Sequence, residues 1–269
     1  MKTWHNTIKY VAIALAIVII IGIVGFIMNL FSFAFSYFTP DVTGDNKSYK
    51  IENEIRVLEI DLNSINLEVK TTTDSDFKVD SNYKYLTVTE KDDKLLIKDK
   101  KAFSFNIQGK AALTLYIPEN MVLDKVEIVT GAGSTDLENL QADNIIMKFG
   151  AGKTMLQNIS SFEKTDIEAG AGKLIVRDST FNNLDLEMGV GQFEFSGKLL
   201  GKNSLKMGVG SSQIDLTGSL DDYKLDVEKG IGDIYVGDDK LKSNTQIGQG
   251  DRELDFEGGI GSVKINFSE

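Results

Sequence analysis

The chain has no cysteine, one histidine and one tryptophan in 269 residues. Without cysteine there is no disulfide framework, no thiolate metal site and no cysteine nucleophile. The histidine, His5, and the tryptophan, Trp4, both precede a long apolar run. Everything beyond that run lacks the usual general base near neutral pH and the commonest zinc ligands. Charge is missing as well: between residues 10 and 40 there is no Asp, Glu, Lys or Arg. About twenty apolar residues cross a bilayer as a helix, and this run is longer. It also exceeds the roughly 7–15-residue apolar core of a cleaved signal peptide. Phe31, Phe33, Phe35, Tyr37 and Phe38 close it in the manner of an interfacial aromatic belt. Lys2 and Lys9 precede it, which favours a cytoplasmic amino terminus and an exported body. The expectation is a cell-membrane protein with a single uncleaved transmembrane helix within residues 1–40.

The remainder is acidic. Formal net charge is −11, and setting aside Lys2 and Lys9 leaves 27 basic against 40 acidic residues, or −13. Such a body repels nucleic acid, so no nucleic-acid partner is expected.

What the chain has in quantity is glycine in a fixed frame. An alternating run ends in Gly-x-Gly and a second alternating run follows at once, as in NNLDLEMGVGQFEF at 182–195. The frame recurs at 126–137, 145–156, 165–176, 204–216, 225–236 and 254–267. Its glycine pairs are Gly131/Gly133, Gly150/Gly152, Gly170/Gly172, Gly189/Gly191, Gly208/Gly210, Gly230/Gly232 and Gly259/Gly261. First glycines are spaced by 19, 20, 19, 19, 22 and 29 residues, with a weaker copy, Gly248-Gln-Gly250, inside the longest gap. A near-constant period of this size marks a repeat architecture.

Positions three and five before each first glycine are mostly apolar (Ile128 and Val126, Leu186 and Leu184), and the residues between them are mostly charged. That is the period-two pattern of a strand with one buried face. One such unit cannot bury its apolar face alone, whereas a stack of them can. The reading is an all-β chain forming a parallel β-solenoid, with about two strands per coil and a period of about 19–20 residues. Glycine at the corner answers either a positive φ or a backbone approach too close for a Cβ. An antiparallel sandwich of hairpins is the competing architecture, and the constant glycine position favours the solenoid. LEIDLNSINLEV, beginning at Leu58, aligns with LDVEKGIGDIYV and places Asn63 at the first-glycine position, as a divergent first coil. Asparagine is one of the few residues besides glycine that tolerates the left-handed region. The resulting division is an anchor at 1–40, a linker at 41–48 (DVTGDNKS), a capping β region at 49–123 and the repeats at 124–269. Within the cap, the alternation Phe103/Phe105/Ile107 reads as a strand and the polar stretch 89–94 as a hairpin turn.

LTLYIP at 113–118, a short loop, and then VEIVTGAGSTDLENL resemble the bacterial putative-adhesin family of β-strand-repeat envelope proteins of unknown function, LiaG-like proteins among them. The resemblance covers roughly 51–267. It implies a solenoid-like β domain outside the cytoplasmic membrane and supplies no catalytic residues. Family members often carry Gly-Ser-Gly-Asp, and here only Gly230-Ile-Gly-Asp233 keeps the acidic ending.

Three motifs mislead. GAGKT at 150–154 looks like the end of a P-loop, but Met147 stands where that loop needs its first glycine. GAGKL at 170–174 shows that the lysine is a repeat position, so no nucleotide is expected. Calcium-binding β-rolls repeat at half this period. A carbohydrate-active β-helix enzyme using paired carboxylates is the alternative function, but the carboxylates recur in register with the repeat, as a solvated face does. No catalytic residue and no cofactor is expected. The leading expectation is a membrane-anchored interaction module with a protein or envelope partner. In-register stacking would bring Asp166 and Glu168 beside Asp185 and Glu187. These four carboxylates form either a solvated face or a weak divalent-cation site.

Overall fold

The computed structural model describes residues 42–100, 110–228, 230–242 and 244–268. The expected membrane span and the Phe103/Phe105/Ile107 strand lie outside the described residues. Among the described residues no helix is long and apolar enough to cross a membrane.

The repeats are rungs of a parallel stack. β8 (Val122–Glu138), β9 (Gln141–Gln157), β10 (Ser160–Asn182), β11 (Leu184–Leu200) and β12 (Lys202–Thr217) each run straight through one Gly-x-Gly corner. Each pairs in parallel with the next, glycine on glycine: Gly133↔Gly152, Gly172↔Gly191 and Gly191↔Gly210. The alternating apolar residues become interior columns. Val126 stacks on Ile145 and Ile128 on Met147, while across the corner Val176 stacks on Phe195 and Phe195 on Ile214. These side chains are buried. β2 (Val57–Leu62) and β3 (Asn66–Thr72) form the divergent first rung beneath β8, with Leu58↔Val126 and Val69↔Leu137.

The two corner glycines have different reasons to be glycine. All seven second glycines lie at φ between +126° and +149°, which L side chains rarely adopt. The first glycines do not: a Cβ on Gly189 would instead meet the Gly170 carbonyl oxygen at 2.5 Å. Asn63 lies under Gly131 as expected, yet it is not among the residues with positive φ, so its tolerance of that region is not the reason it is there.

Two strands per coil is an undercount. A second corner is turned by Asn139, Asn158 and Asp178, at φ of +55°, +54° and +50°. Asn158 Nδ2 donates to Asn139 Oδ1 at 2.6 Å, forming a ladder along the stack. Beyond it runs a short third side, on which Leu123 pairs with Ala142, Ala142 with Ser161, and Phe181 with Leu199, all buried. The buried hydroxyl of Ser161 accepts hydrogen bonds from Thr165 Oγ1 and from the Asn182 amide.

The rungs do not all follow chain order. β13 (Tyr223–Glu228) and β14 (Ile234–Val236) form the last rung in space. β17 (Arg252–Glu257) and β18 (Ile260–Ser268) are inserted between that rung and β12, with Leu205↔Phe256 on one side and Val227↔Phe256 on the other. Spacings of 22 and 29 residues, against 19 or 20 elsewhere, supply the chain needed to skip a rung and return. Glu253 then stands between Lys202 and Lys224, at 3.7 and 3.8 Å from their ammonium groups. Chain-order stacking would have put those two lysines side by side. The buried Asn203 fastens the inserted rung by donating from Nδ2 to the Glu253 carbonyl at 3.0 Å. Gly248-Gln-Gly250 is therefore no rung: it follows β16 (Thr245–Ile247), which pairs antiparallel with the outer edge of β13.

At the opposite end, β6 (Lys94–Asp99) and β7 (Ala112–Pro118) extend the first rung in parallel. β5 (Leu86–Lys91) and β4 (Lys78–Tyr83) then close on them in antiparallel fashion. The polar turn before β6 narrows to Asp92-Asp93, with Asp92 at φ +54°. From residue 43 onward the stretch expected as a linker is strand: β1 (Thr43–Lys50) is exposed and paired antiparallel with β4. Its polar, lysine-bearing sequence suits a sheet edge that must not recruit another strand.

Two measurements check this architecture. Gly191→Ala places a Cβ 1.8 Å from the Gly172 carbonyl at an unfavourable φ. It should cost at least about 2 kcal/mol in denaturant unfolding, against a few tenths for the exposed Gln192→Ala. In this cysteine-free chain, Gln213→Cys with Lys264→Cys should oxidise to a disulfide, since the two residues are direct parallel partners. Gln213→Cys with Tyr235→Cys, adjacent only if rungs followed chain order, should stay reduced.

Candidate functional site

The outward positions of successive rungs also form columns. Two residues before each first glycine, the column reads Val129, Lys148, Glu168, Glu187, Lys206, Glu257, Glu228. Over the adjacent first glycines runs an open groove of about 700 Å³. This column from Val129 to Glu257 forms one wall, and Phe149, Met188 and Met207 underlie the groove.

The four carboxylates singled out from the sequence do meet: Asp166 pairs with Asp185 and Glu168 with Glu187. They are not an uncompensated patch. Lys148 Nζ lies 2.7 Å from Glu168, Lys206 3.4 Å from Glu187, and Lys164 2.9 Å from Asp166. Hydrogen bonding to Glu168 raises the Lys148 pKa above its ordinary value, and hydrogen bonding to Asp166 does the same for Lys164. Along the stack the charges run plus, minus, minus, plus, which removes most of the repulsion that would recruit a cation. Among the described residues no group of three or more His, Cys, Asp or Glu is placed to hold a metal ion. The lysine pairing supports the solvated-face reading of Asp166, Glu168, Asp185 and Glu187 over the divalent-cation one.

The last two rungs carry an acidic patch whose pairs do not depend on rung order, although rung order decides that Glu257 and not Glu228 lies beside Lys206. Asp226 pairs with Asp255 and Glu228 with Glu257, all exposed. Among the described residues these four carboxylates form no ion pair. The middle residue of Gly-x-Gly makes a further outward column: Ala132, Ala151, Ala171, Val190, Val209, Ile260, Ile231. Its growth from alanine to isoleucine was visible in the motifs GAG, GVG and GIG. Its exposure and its order were not.

Lys153 is an in-register partner of Lys173, and Lys173 Nζ lies 2.6 Å from Glu194. Strand β9 continues past it, so GAGKT opens no helix and is a rung corner. The outer surface is thus a set of repeating columns beside an open groove.

These features define a β-strand-repeat protein with a solenoid-like stack. The Toastrack DUF4097 family profile matches residues 55–267, and the chain belongs to that family. No curated protein matches it. Among solved structures, a putative cell adhesion protein from Clostridium sporogenes is 15% identical with a TM-score of 0.37, over 83% of this chain and 99% of that one. A putative adhesin from Bacteroides fragilis is 15% identical with a TM-score of 0.44, over 82% and 96%. A putative lipid binding protein from Parabacteroides distasonis is 13% identical with a TM-score of 0.38, over 84% and 98%.

The lysine-compensated column predicts the response to calcium. Millimolar calcium chloride and sodium chloride of equal ionic strength should shift the melting temperature of the chain equally. A calcium-specific rise abolished by Asp166→Asn with Asp185→Asn would instead establish the cation site.

Proposed function

We propose that the chain is a membrane-anchored, extracytoplasmic interaction module that binds a protein or envelope partner on a side face and carries out no catalysis. The observation that carries this reading is the groove: it is open, and the five rungs from β8 to β12 contribute the same three positions to its lining. An enzyme site gathers a few unlike groups at one point and holds them away from water. Here the carboxylates recur rung after rung, several already bonded to lysine. A flat repeating face instead offers extended contact area to a partner, as in other repeat proteins. The uncharged stretch 10–40, with Lys2 and Lys9 before it, supports anchoring and export of the body.

Protease added to intact, wall-stripped cells should remove the region after residue 41 and leave a small membrane fragment. Photo-crosslinkers placed on each outward face of the chain in living cells should trap a specific partner from at least one face. Protection of the body until lysis would reverse the orientation, and absence of any specific crosslink from every face would remove the module reading.

A further inference from the structure

Val190, Val209, Ile260 and Ile231 are large apolar side chains exposed at 55, 47, 53 and 71%. They are not scattered, since parallel pairing places them on four consecutive rungs in that order. Consecutive rungs are about 4.8 Å apart, so the ladder is continuous over roughly 14 Å. A contiguous aliphatic stripe held in water on a rigid corner marks a contact surface, unlike single exposed residues.

What would cover it follows from its flanks. Three residues before Ile231 and Ile260 stand Glu228 and Glu257, with Asp226 and Asp255 two residues further back. At about 3.3 Å per residue the nearer acidic column lies within about 10 Å of the aliphatic one. Between the columns lie the corner glycines, and the groove exposes the backbone of Gly189 and Gly208 to an incoming chain. A second copy would bring the same four carboxylates against themselves unless it bound in another orientation. An anionic lipid surface would be repelled by them. A segment bearing both aliphatic and cationic side chains matches both columns. A strand laid flat over the glycines directs alternate side chains to either side.

We infer that the face formed by Val190, Val209, Ile260 and Ile231 together with Asp226, Glu228, Asp255 and Glu257 binds an extended polypeptide segment that alternates aliphatic residues with lysine or arginine. This rests on the reading of the chain as an interaction module and names the partner's chemistry. The aliphatic ladder supplies desolvation. The four carboxylates, which form no ion pair among the described residues, supply steering and select against acidic segments.

The test uses the full chain in neutral-lipid nanodiscs, with empty nanodiscs as blank, and three short fluorescent peptides alternating Lys–Leu, Lys–Ser and Glu–Leu. Lys–Leu should bind at least about tenfold more tightly than either other peptide, a difference anisotropy titration resolves. The variant V190S/V209S/I260S/I231S should lose at least about tenfold in affinity for it. D226N/E228Q/D255N/E257Q should lose a similar factor together with most of the salt dependence. V122S, which removes an exposed apolar side chain elsewhere, should bind as the parent does. Melting curves establish that each variant is folded. Should the serine variant fail to fold, the peptide comparison on the parent and the acidic-face variant still decide. Lys–Leu binding no tighter than Lys–Ser, or unchanged in the folded variants, would overturn the inference. So would a concentration-dependent dimer or vesicle binding that the serine variant abolishes, since either gives the ladder another occupant. Crosslinks from other faces in cells would survive any of these outcomes, so this inference can fail while the interaction-module reading stands.

Discussion

The structure depends on how closely one backbone passes over another at the Gly-x-Gly corner. A side chain on a first glycine would drive a Cβ into the carbonyl of the rung below, and one on a second glycine would do so at a φ that also disfavours it. With both positions empty, the strands turn together and keep the rung spacing through the bend. Residues at equal distance from the corner then stack in line. The interior columns, the outward charges and the exposed aliphatic ladder all inherit that register. Without the close approach each rung could slip against its neighbour, and a one-residue slip exchanges buried for exposed faces.

Polar groups complete what glycine begins. The asparagine ladder turns the second corner in the left-handed region while its amides bond along the stack. Inside, Ser161 and Asn203 satisfy backbone groups at places where the coil departs from regular strand. The ends of the stack carry the usual danger of parallel sheets, an open edge. Short antiparallel strands answer it at both ends: β15 (Asp239–Lys240) on β14 and β16 on β13 at one, β1 on β4 and β5 on β6 at the other.

Stacking also governs the surface. Each outward position is repeated along the stack, so a change of residue type from rung to rung becomes a gradient in space. Mid-stack, lysines compensate the carboxylates. Toward the last rung, Asp226, Glu228, Asp255 and Glu257 form no ion pair among the described residues, and alanine gives way to valine and isoleucine. One end of the face therefore differs chemically from the other, although both follow the same backbone rule. The family to which the chain belongs is defined over this same β region.

The sequence by itself determined the period, the all-β class, the inward and outward faces and the glycine corners, because alternation and glycine placement are local and each rung repeats them. It also determined the pairing of Asp166 with Asp185 and Glu168 with Glu187, which needs only equal spacing between neighbouring rungs. Asn139 and Asn158, 19 residues apart, carried a readable signal for the second corner that alternation alone does not expose. Which lysine reaches which carboxylate was decided in three dimensions, since Lys148 and Lys206 act across rungs on Glu168 and Glu187. The order of the last two rungs was also a tertiary outcome. Local patterns fix what a rung is, but β17 and β18 can seat against any rung that offers matching columns. The buried Asn203 and the placement of Glu253 between Lys202 and Lys224 support a seat one rung earlier than chain order would give.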